Sequence, residues 1–232
     1  MRGMMSIERA KKAAAVAALD WISEGMCVGL GSGTTAECFI HELGKKCQAG
    51  FDVRAVASSE RSRVCALEEK IPLLSSEEVV FLDVVVDGAD EIDMQGGMIK
   101  GGGGALLCEK LLASVAKEVL IIVDETKCVS RLGTFPLPVE VVPFLIPAIQ
   151  KKIESLGCRG RLRQVDGVPF ETDLGHWIFD LFSYSEDVRT LQDSLKSIVG
   201  VVETGLFLNV ATQGLIGRED GSVIARTFVC QS

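Results

Sequence analysis

Apolar positions along the first part of the chain follow two alternating rhythms. A helical spacing of small and apolar residues covers 6–24, a short continuous apolar run covers 26–30, and the pair returns as a helix over 34–43 and a strand over 52–57. A third round predicts a helix over 60–69 and, past Pro72, a strand in the run "VVFLDVVVD". The stretch "KGGGGALLCEKLLASVAKEVLIIVD" then reads as loop, helix and strand, with the helix starting near Ala105. Strands this continuously apolar, separated by helices, predict a Rossmann-like parallel sheet with helices on both faces. Such sheets bind ligands beyond the carboxyl ends of their strands.

From about Phe135 the pattern changes. "FPLPVEVVP" is punctuated by proline, a helix over 144–156 follows, and "VPFETDLGHWIFDLF" alternates like an antiparallel strand. A helix in "DVRTLQDSLKSI" and a strand in "VVETGLFL" complete a small α+β order of the split, ferredoxin-like kind, expected to serve as a lid. The chain then returns through "GLIGREDGSVIARTF", with Asp220-Gly221 as a hairpin turn. The expected division is a catalytic domain of residues 1–133 and 207–232 and a lid domain of residues 134–206.

Composition narrows what this fold could do. With 232 residues and 47% hydrophobic positions the chain can bury a large core. A formal charge of -8, without clustered Lys and Arg, argues against a nucleic-acid partner. The eight cysteines, at 27, 38, 47, 65, 108, 128, 158 and 230, form no CxxC pair and sit mostly inside apolar runs, the usage of a reducing cytoplasm. No stretch reads as a signal peptide or membrane span, so no membrane partner is expected.

The residues suited to chemistry gather in loops at expected strand ends. "GLGSGTTAE" is a glycine turn running into a helix start, where backbone N–H groups and the hydroxyls of Ser32, Thr34 and Thr35 suit a phosphate; a tight turn capped by threonine is the plainer alternative. Gly31, Gly33 and Ala36 also fit a loose dinucleotide fingerprint. Ser58 and Ser59, however, stand where a ribose-binding acid belongs. "DGADEID" places Asp87, Asp90, Glu91 and Asp93 together, suited to sugar hydroxyls or helix capping; it lacks the histidine or spacing of a metal site. "IKGGGGALLCEK" sets bare backbone between Lys100 and Glu109. Consecutive glycines there let a ligand lie directly against the chain. Lys127 follows the next strand. The convergence of these loops on one sheet edge carries more weight than any one of them. His41 and His176 have no nucleophile-base partner at a recognisable spacing and read as structural residues; Trp21, at helical spacing with Val16, Ala17 and Ala18, reads as core packing, and Lys11 and Lys12, near the start of the first helix, read on position alone as solvated.

On these segments the chain resembles the A-type ribose-5-phosphate isomerases. "VGLGSGTTA", "ASSERS", "VVVDGADEID", "IKGGGGALLCEK", "VDETK", "FPLPVEVVP", "ETDLGHWIFD" and "GVVETGLF" occur in the family's order, and the pairing of DGADE with KGGGGA is the most diagnostic. The resemblance implies a reversible isomerisation of ribose 5-phosphate and ribulose 5-phosphate in the non-oxidative pentose phosphate pathway, with no metal or organic cofactor, by a cytoplasmic homodimer or homotetramer. It implies Glu109 as the proton acceptor, with Asp87, Asp90 and Lys100 as further catalytic groups. Ser32, Gly33, Thr34 and Thr35 match the first ligand loop, Asp87, Gly88, Ala89 and Asp90 the second, Lys100, Gly101, Gly102 and Gly103 the third, and Lys127 a substrate-contacting lysine. Lys11 matches a lysine on the phosphate side. Cys108, His176, the order of Ser and Thr in the first loop, and "NVATQGLIG" depart from the family's usual pattern. A coenzyme A transferase-like enzyme and a non-catalytic sugar-phosphate sensor are the rival readings, and a dinucleotide-dependent dehydrogenase is the weakest.

Overall fold

The computed structural model describes residues 2–184 and 187–228. In chain order the elements are α1 (Arg2–Ala18), β1 (Cys27–Leu30), α2 (Thr34–Gln48), β2 (Arg54–Ala57), α3 (Glu60–Glu68), β3 (Leu82–Asp87), β4 (Glu91–Ile92), β5 (Met98–Ile99), α4 (Leu106–Ser114) and β6 (Ala116–Asp124). They continue with β7 (Leu137–Val141), α5 (Ile146–Ser155), β8 (Arg159–Leu162), β9 (Gln164–Val165), β10 (Val168–Pro169), β11 (Trp177–Ser183), α6 (Val188–Lys196), β12 (Val201–Thr204), β13 (Leu206–Phe207), β14 (Gln213–Gly217) and β15 (Val223–Thr227). Two compact units result. The first comprises Met1–Ala89, Cys108–Cys128 and Asn209–Ser232, and the second Asp90–Leu107 and Val129–Leu208.

The first unit holds a six-stranded sheet in the order β15-β14-β6-β3-β1-β2, parallel except for β15 at one edge. Its central strands are buried on both faces. Val28, Leu30, Val84, Val86, Leu120 and Ile122 pack with Ala14, Phe39, Ile40 and Leu43 of α1 and α2, while Cys27, Val56 and Val85 pack with Leu74, Val79 and Leu112. That two-sided cover is why these strands read as unbroken apolar runs. The first helix stops at Ala18 and gives way to a short 3-10 turn, Leu19–Trp21, before Gly25 turns the chain with a φ of 83°. Among the described residues no helix is long and apolar enough to cross a membrane.

The second unit contains a four-stranded antiparallel sheet in the order β12-β7-β11-β8. With α5 between β7 and β8 and α6 between β11 and β12, this is the split ferredoxin-like order anticipated from the sequence. Val139, Val141, Phe179 and Leu181 meet Ile149, Ile153, Leu191 and Leu195 of the two helices in its core. A three-stranded sheet, β13-β5-β4, also belongs to this unit, so 90–107, assigned by the sequence pattern to the main domain, lies in the second unit. There β5 pairs with β4 and with β13, a partner far along the chain that periodicity cannot reveal.

Two expected strands are interrupted. "VVETGLFL" splits at Gly205 into strands of different sheets, because Gly205 donates its N–H to Pro138 O at 2.7 Å and accepts from Lys100 N at 2.9 Å. In "VPFETDLGHWIFDLF" the first residues form a separate hairpin with β9. Its turn, Asp166-Gly167, has positive φ at both positions (52° and 80°), the geometry that matches strand twist.

Candidate active site

In the first unit the strand order reverses between β1 and β3: the chain leaves β1 toward β2 and returns to β3 on the other side. The loops after these two strands therefore part at the sheet's carboxyl edge, where an open α/β sheet leaves a crevice. One carboxylate ties the loops together. Asp87, at the end of β3 and 2% exposed, accepts from Ser32 N at 3.0 Å and Gly88 N at 2.7 Å through a single oxygen, Oδ1. Gly31, whose N–H bonds Val86 O at 2.9 Å, passes so close that a Cβ there would strike the Asp87 side chain.

Under this loop runs a circuit of hydroxyls. Ser32 Oγ donates to Ser59 Oγ at 2.8 Å, Ser59 to Ser62 at 3.0 Å, and Ser62 to the Gly31 carbonyl at 2.7 Å. A hydroxyl has one proton to give, so the 2.8 Å contact between Ser58 and Ser32 has Ser58 as donor. Both the Ser32 N–H and its hydroxyl proton are thus engaged within the unit. The groups turned outward are those at the start of α2. Its N-cap, Gly33, has a φ of 91° and supplies no side-chain cap, leaving the first-turn amides to other acceptors. Lys11 of α1 reaches the same place, with Nζ 3.0 Å from Thr34 Oγ1 and 3.2 Å from Glu8 Oε1. A cation, hydroxyls and a helix N-terminus are the components of an anion site.

The acidic cluster divides its work. In the second unit Asp90 Oδ2 accepts from Gly102 N at 2.8 Å. Glu91, 4% exposed, accepts from Gly133 N and Phe135 N at 2.7 and 2.5 Å. Asp93 accepts from Gln95 N and Gly97 N at 2.9 Å each and pairs with Arg189 at 2.5 Å. Glu91 and Asp93 thereby shape turns, whereas Asp87 and Asp90 each hold a glycine-rich loop.

Lys100 is only 3% exposed, with Nζ 5.4 Å from the centre of the Phe207 ring. The glycine run after it is a tight turn, closed by Gly104 N to Gly101 O at 3.0 Å, with φ of 102° at Gly101 and 90° at Gly104. Side chains could not be tolerated at several of these positions: a Cβ on Gly102 would lie 2.8 Å from Asp90 Oδ1 and 3.0 Å from Phe135, and one on Gly101 2.8 Å from Leu106. Two carbonyls of the turn are held by Arg163, whose Nη1 lies 3.0 Å from Gly101 O and 3.1 Å from Gly102 O. Glu109 follows in the first turn of α4 and is 4% exposed, a carboxylate withdrawn from bulk water. Lys127 ends the 3-10 turn Glu125–Lys127 beyond β6.

The sequence pattern missed Ser62 and Arg163. "ASSERS" held a signal for the first, three serines across a strand end and the opening turn of a helix. Nothing near Arg163 in the chain points to residues 101 and 102.

The histidines take structural positions: His41 Nδ1 lies 2.7 Å from Glu69 Oε1, and His176 Nδ1 lies 3.0 Å from the buried Glu140 Oε1. Burial pushes the thiols of Cys27, Cys38, Cys47, Cys65 and Cys128 above the usual cysteine range, which disfavours them as nucleophiles. Cys230 lies outside the described residues.

A sequence profile described as ribose 5-phosphate isomerase A (phosphoriboisomerase A) matches residues 54–221, a span that includes Asp87, Lys100, Glu109 and Lys127. The chain belongs to the ribose 5-phosphate isomerase A family. Ribose-5-phosphate isomerase A of Protochlamydia amoebophila is 47% identical, over 92% of this chain and 93% of the relative. The Bacillus mycoides protein of that name is 44% identical, over 91% and 96%. Among solved structures of the family, a D-ribose-5-phosphate isomerase in complex with phospho-erythronic acid superposes with a TM-score of 0.90 at 35% identity, covering 95% of this chain and 99% of that one. Ribose 5-phosphate isomerase A from Neisseria gonorrhoeae gives 0.88 at 36% identity, covering 97% and 98%.

Proposed function

We propose that this protein interconverts D-ribose 5-phosphate and D-ribulose 5-phosphate by proton transfer between C1 and C2 through an enediolate. The observation that carries the reading is the family match across residues 54–221, within which the buried Glu109 follows Lys100 and the glycine turn. The solved relative's complex with phospho-erythronic acid supports a phosphorylated ligand.

Glu109 is the base. A carboxylate with two oxygens serves both carbons from one face of the open-chain sugar. Negative charge then develops on the enediolate oxygens, and the Lys100 ammonium with the amides of Gly101 and Gly103 opposes it, while Gly102 N–H holds Asp90 beside them. Asp87, Asp90, Gly88 and Ala89 form the loop that orients hydroxyls and assists ring opening. The phosphate is received by the loop of residues 32–35: Gly33, Thr34 and Thr35 offer amides and hydroxyls, Lys11 adds charge, and Ser32 keeps the loop's shape. Binding energy at the phosphate contributes to positioning the reacting carbons. Lys127 is a further substrate contact. The reading places the enzyme in the cytoplasm, in the non-oxidative pentose phosphate pathway, as a homodimer or homotetramer acting without metal or organic cofactor.

The test is the initial rate of ribulose 5-phosphate formation in EDTA for the wild type and a folded Glu109→Gln variant. The wild type turns over, and the variant loses about 10²-fold to 10⁴-fold in kcat, the usual cost of removing a general base. A fully active variant would remove Glu109 from the role.

A further inference from the structure

The guanidinium of Arg163 is bound on every side. Nε and Nη2 fork onto Asp180 Oδ2 and Oδ1 at 2.9 and 2.5 Å, and the ring of Phe170 lies 5.5 Å from Cζ. The main chain on either side is also held, with Arg163 N bonded to Ile178 O at 2.7 Å and Phe170 N to Arg163 O at 2.9 Å. The side chain is one-seventh exposed, 14%. Its remaining nitrogen, Nη1, donates to the carbonyls of Gly101 and Gly102.

Those two bonds decide where the turn's amides point. In a trans peptide the C=O of one residue and the N–H of the next lie in one plane and point in opposite directions. Pulling Gly101 O toward Arg163 directs Gly102 N–H the other way, where Asp90 Oδ2 accepts it at 2.8 Å. Pulling Gly102 O likewise turns Gly103 N–H away from Arg163. Gly103 is exposed, and a Cβ built on it would meet nothing within 4 Å. A guanidinium on the carbonyl oxygens also polarises both peptide groups and strengthens their N–H ends as donors. A glycine turn has no side chains of its own to choose among peptide orientations, so an outside group must choose for it. Arginine suits this task because its planar fork can grip a carboxylate and still present another N–H; a lysine ammonium cannot do both with fixed geometry.

We propose that Arg163, held by Asp180, is a positioning residue for the isomerisation: it sets the peptide planes of Gly101 and Gly102 so that Gly103 N–H is offered to the developing enediolate and Asp90 is fixed by Gly102 N–H. This rests on the reading above that the glycine turn faces the substrate's reacting oxygens. Arg163 itself touches no reacting atom.

Steady-state kinetics on ribose 5-phosphate for Arg163→Ala, Arg163→Lys and Asp180→Asn, alongside Glu109→Gln, test it, with folding checked by circular dichroism and thermal melting. Arg163→Ala and Arg163→Lys lose about 10²-fold in kcat, the scale of a misplaced catalytic group, with KM nearly unchanged. Asp180→Asn loses less. Millimolar guanidinium restores part of the kcat of Arg163→Ala, and equal ammonium does not. Wild-type kcat in folded Arg163→Ala, or a loss that guanidinium does not restore, overturns the proposal; should the alanine variant not fold, wild-type kcat in Arg163→Lys does so instead. A dead Glu109→Gln beside a fully active Arg163→Ala sinks the clamp alone, whereas full activity in both sinks the site reading on which it rests.

Discussion

At Asp87 one carboxylate oxygen accepts two backbone N–H groups from different loops, Ser32 N and Gly88 N. Asparagine keeps an acceptor oxygen at that place and alanine does not. Asp87→Ala is therefore expected to lose about 1–3 kcal/mol of stability through two unsatisfied buried donors, while Asp87→Asn stays within about 1 kcal/mol, both read from urea unfolding. Activity separates structure from chemistry: if Asp87 also orients substrate, the asparagine variant loses kcat although its stability holds, and a fully active Asp87→Asn confines the residue to scaffolding. The acids and glycines of this site were legible in the sequence because their density in short loops is rare. Ser62 and Arg163 were not, since a serine in a helix's first turn ordinarily caps it, as the neighbouring Ser59 does here by accepting from Ser62 N at 3.1 Å, and an arginine between strands ordinarily faces solvent.

Elements were legible where burial imposes a period and illegible where a single backbone contact overrides it. The apolar runs 27–30, 82–87 and 116–124 became central parallel strands, and the spacing in "DVRTLQDSLKSI" became a helix burying Val188, Leu191 and Leu195. "VVETGLFL" reads from the sequence as one strand, yet Gly205 separates two, Val201–Thr204 and Leu206–Phe207. A methyl group there would meet Pro138 Cδ at 2.7 Å and press on the Lys100 carbonyl. Gly205→Ala is thus expected to cost about 1–3 kcal/mol, the range for overpacking, and to lower kcat by displacing Lys100. Unchanged urea midpoint and unchanged kcat would show that the backbone accommodates the methyl and that Lys100 does not depend on this contact.

Across the whole molecule, the chain passes between the two units after Ala89, Leu107, Cys128 and Leu208, so neither unit is one continuous segment. The sheet of the first is completed by β14 and β15 only after the second has been threaded. Each unit holds one of the two tryptophans, Trp21 in the first and Trp177 in the second. Single-tryptophan variants, Trp21→Phe and Trp177→Phe, are expected to report one shared urea midpoint because interleaved segments cannot complete their sheets independently; separate midpoints would mean that the units unfold on their own. The sequence by itself determined the parallel-sheet class, the ferredoxin-like order of the second unit, and the loops that hold carboxylates, lysines and glycines. Those depend on local period and on residue types that few other contexts require. The tertiary structure alone decided that Ser32 gives its proton to Ser59, that residues 90–107 join the second unit, and that Arg163 governs the peptide planes of Gly101 and Gly102. These are pairings between positions far apart in the chain, and a hydrogen bond between distant residues leaves no period in the sequence from which to read it.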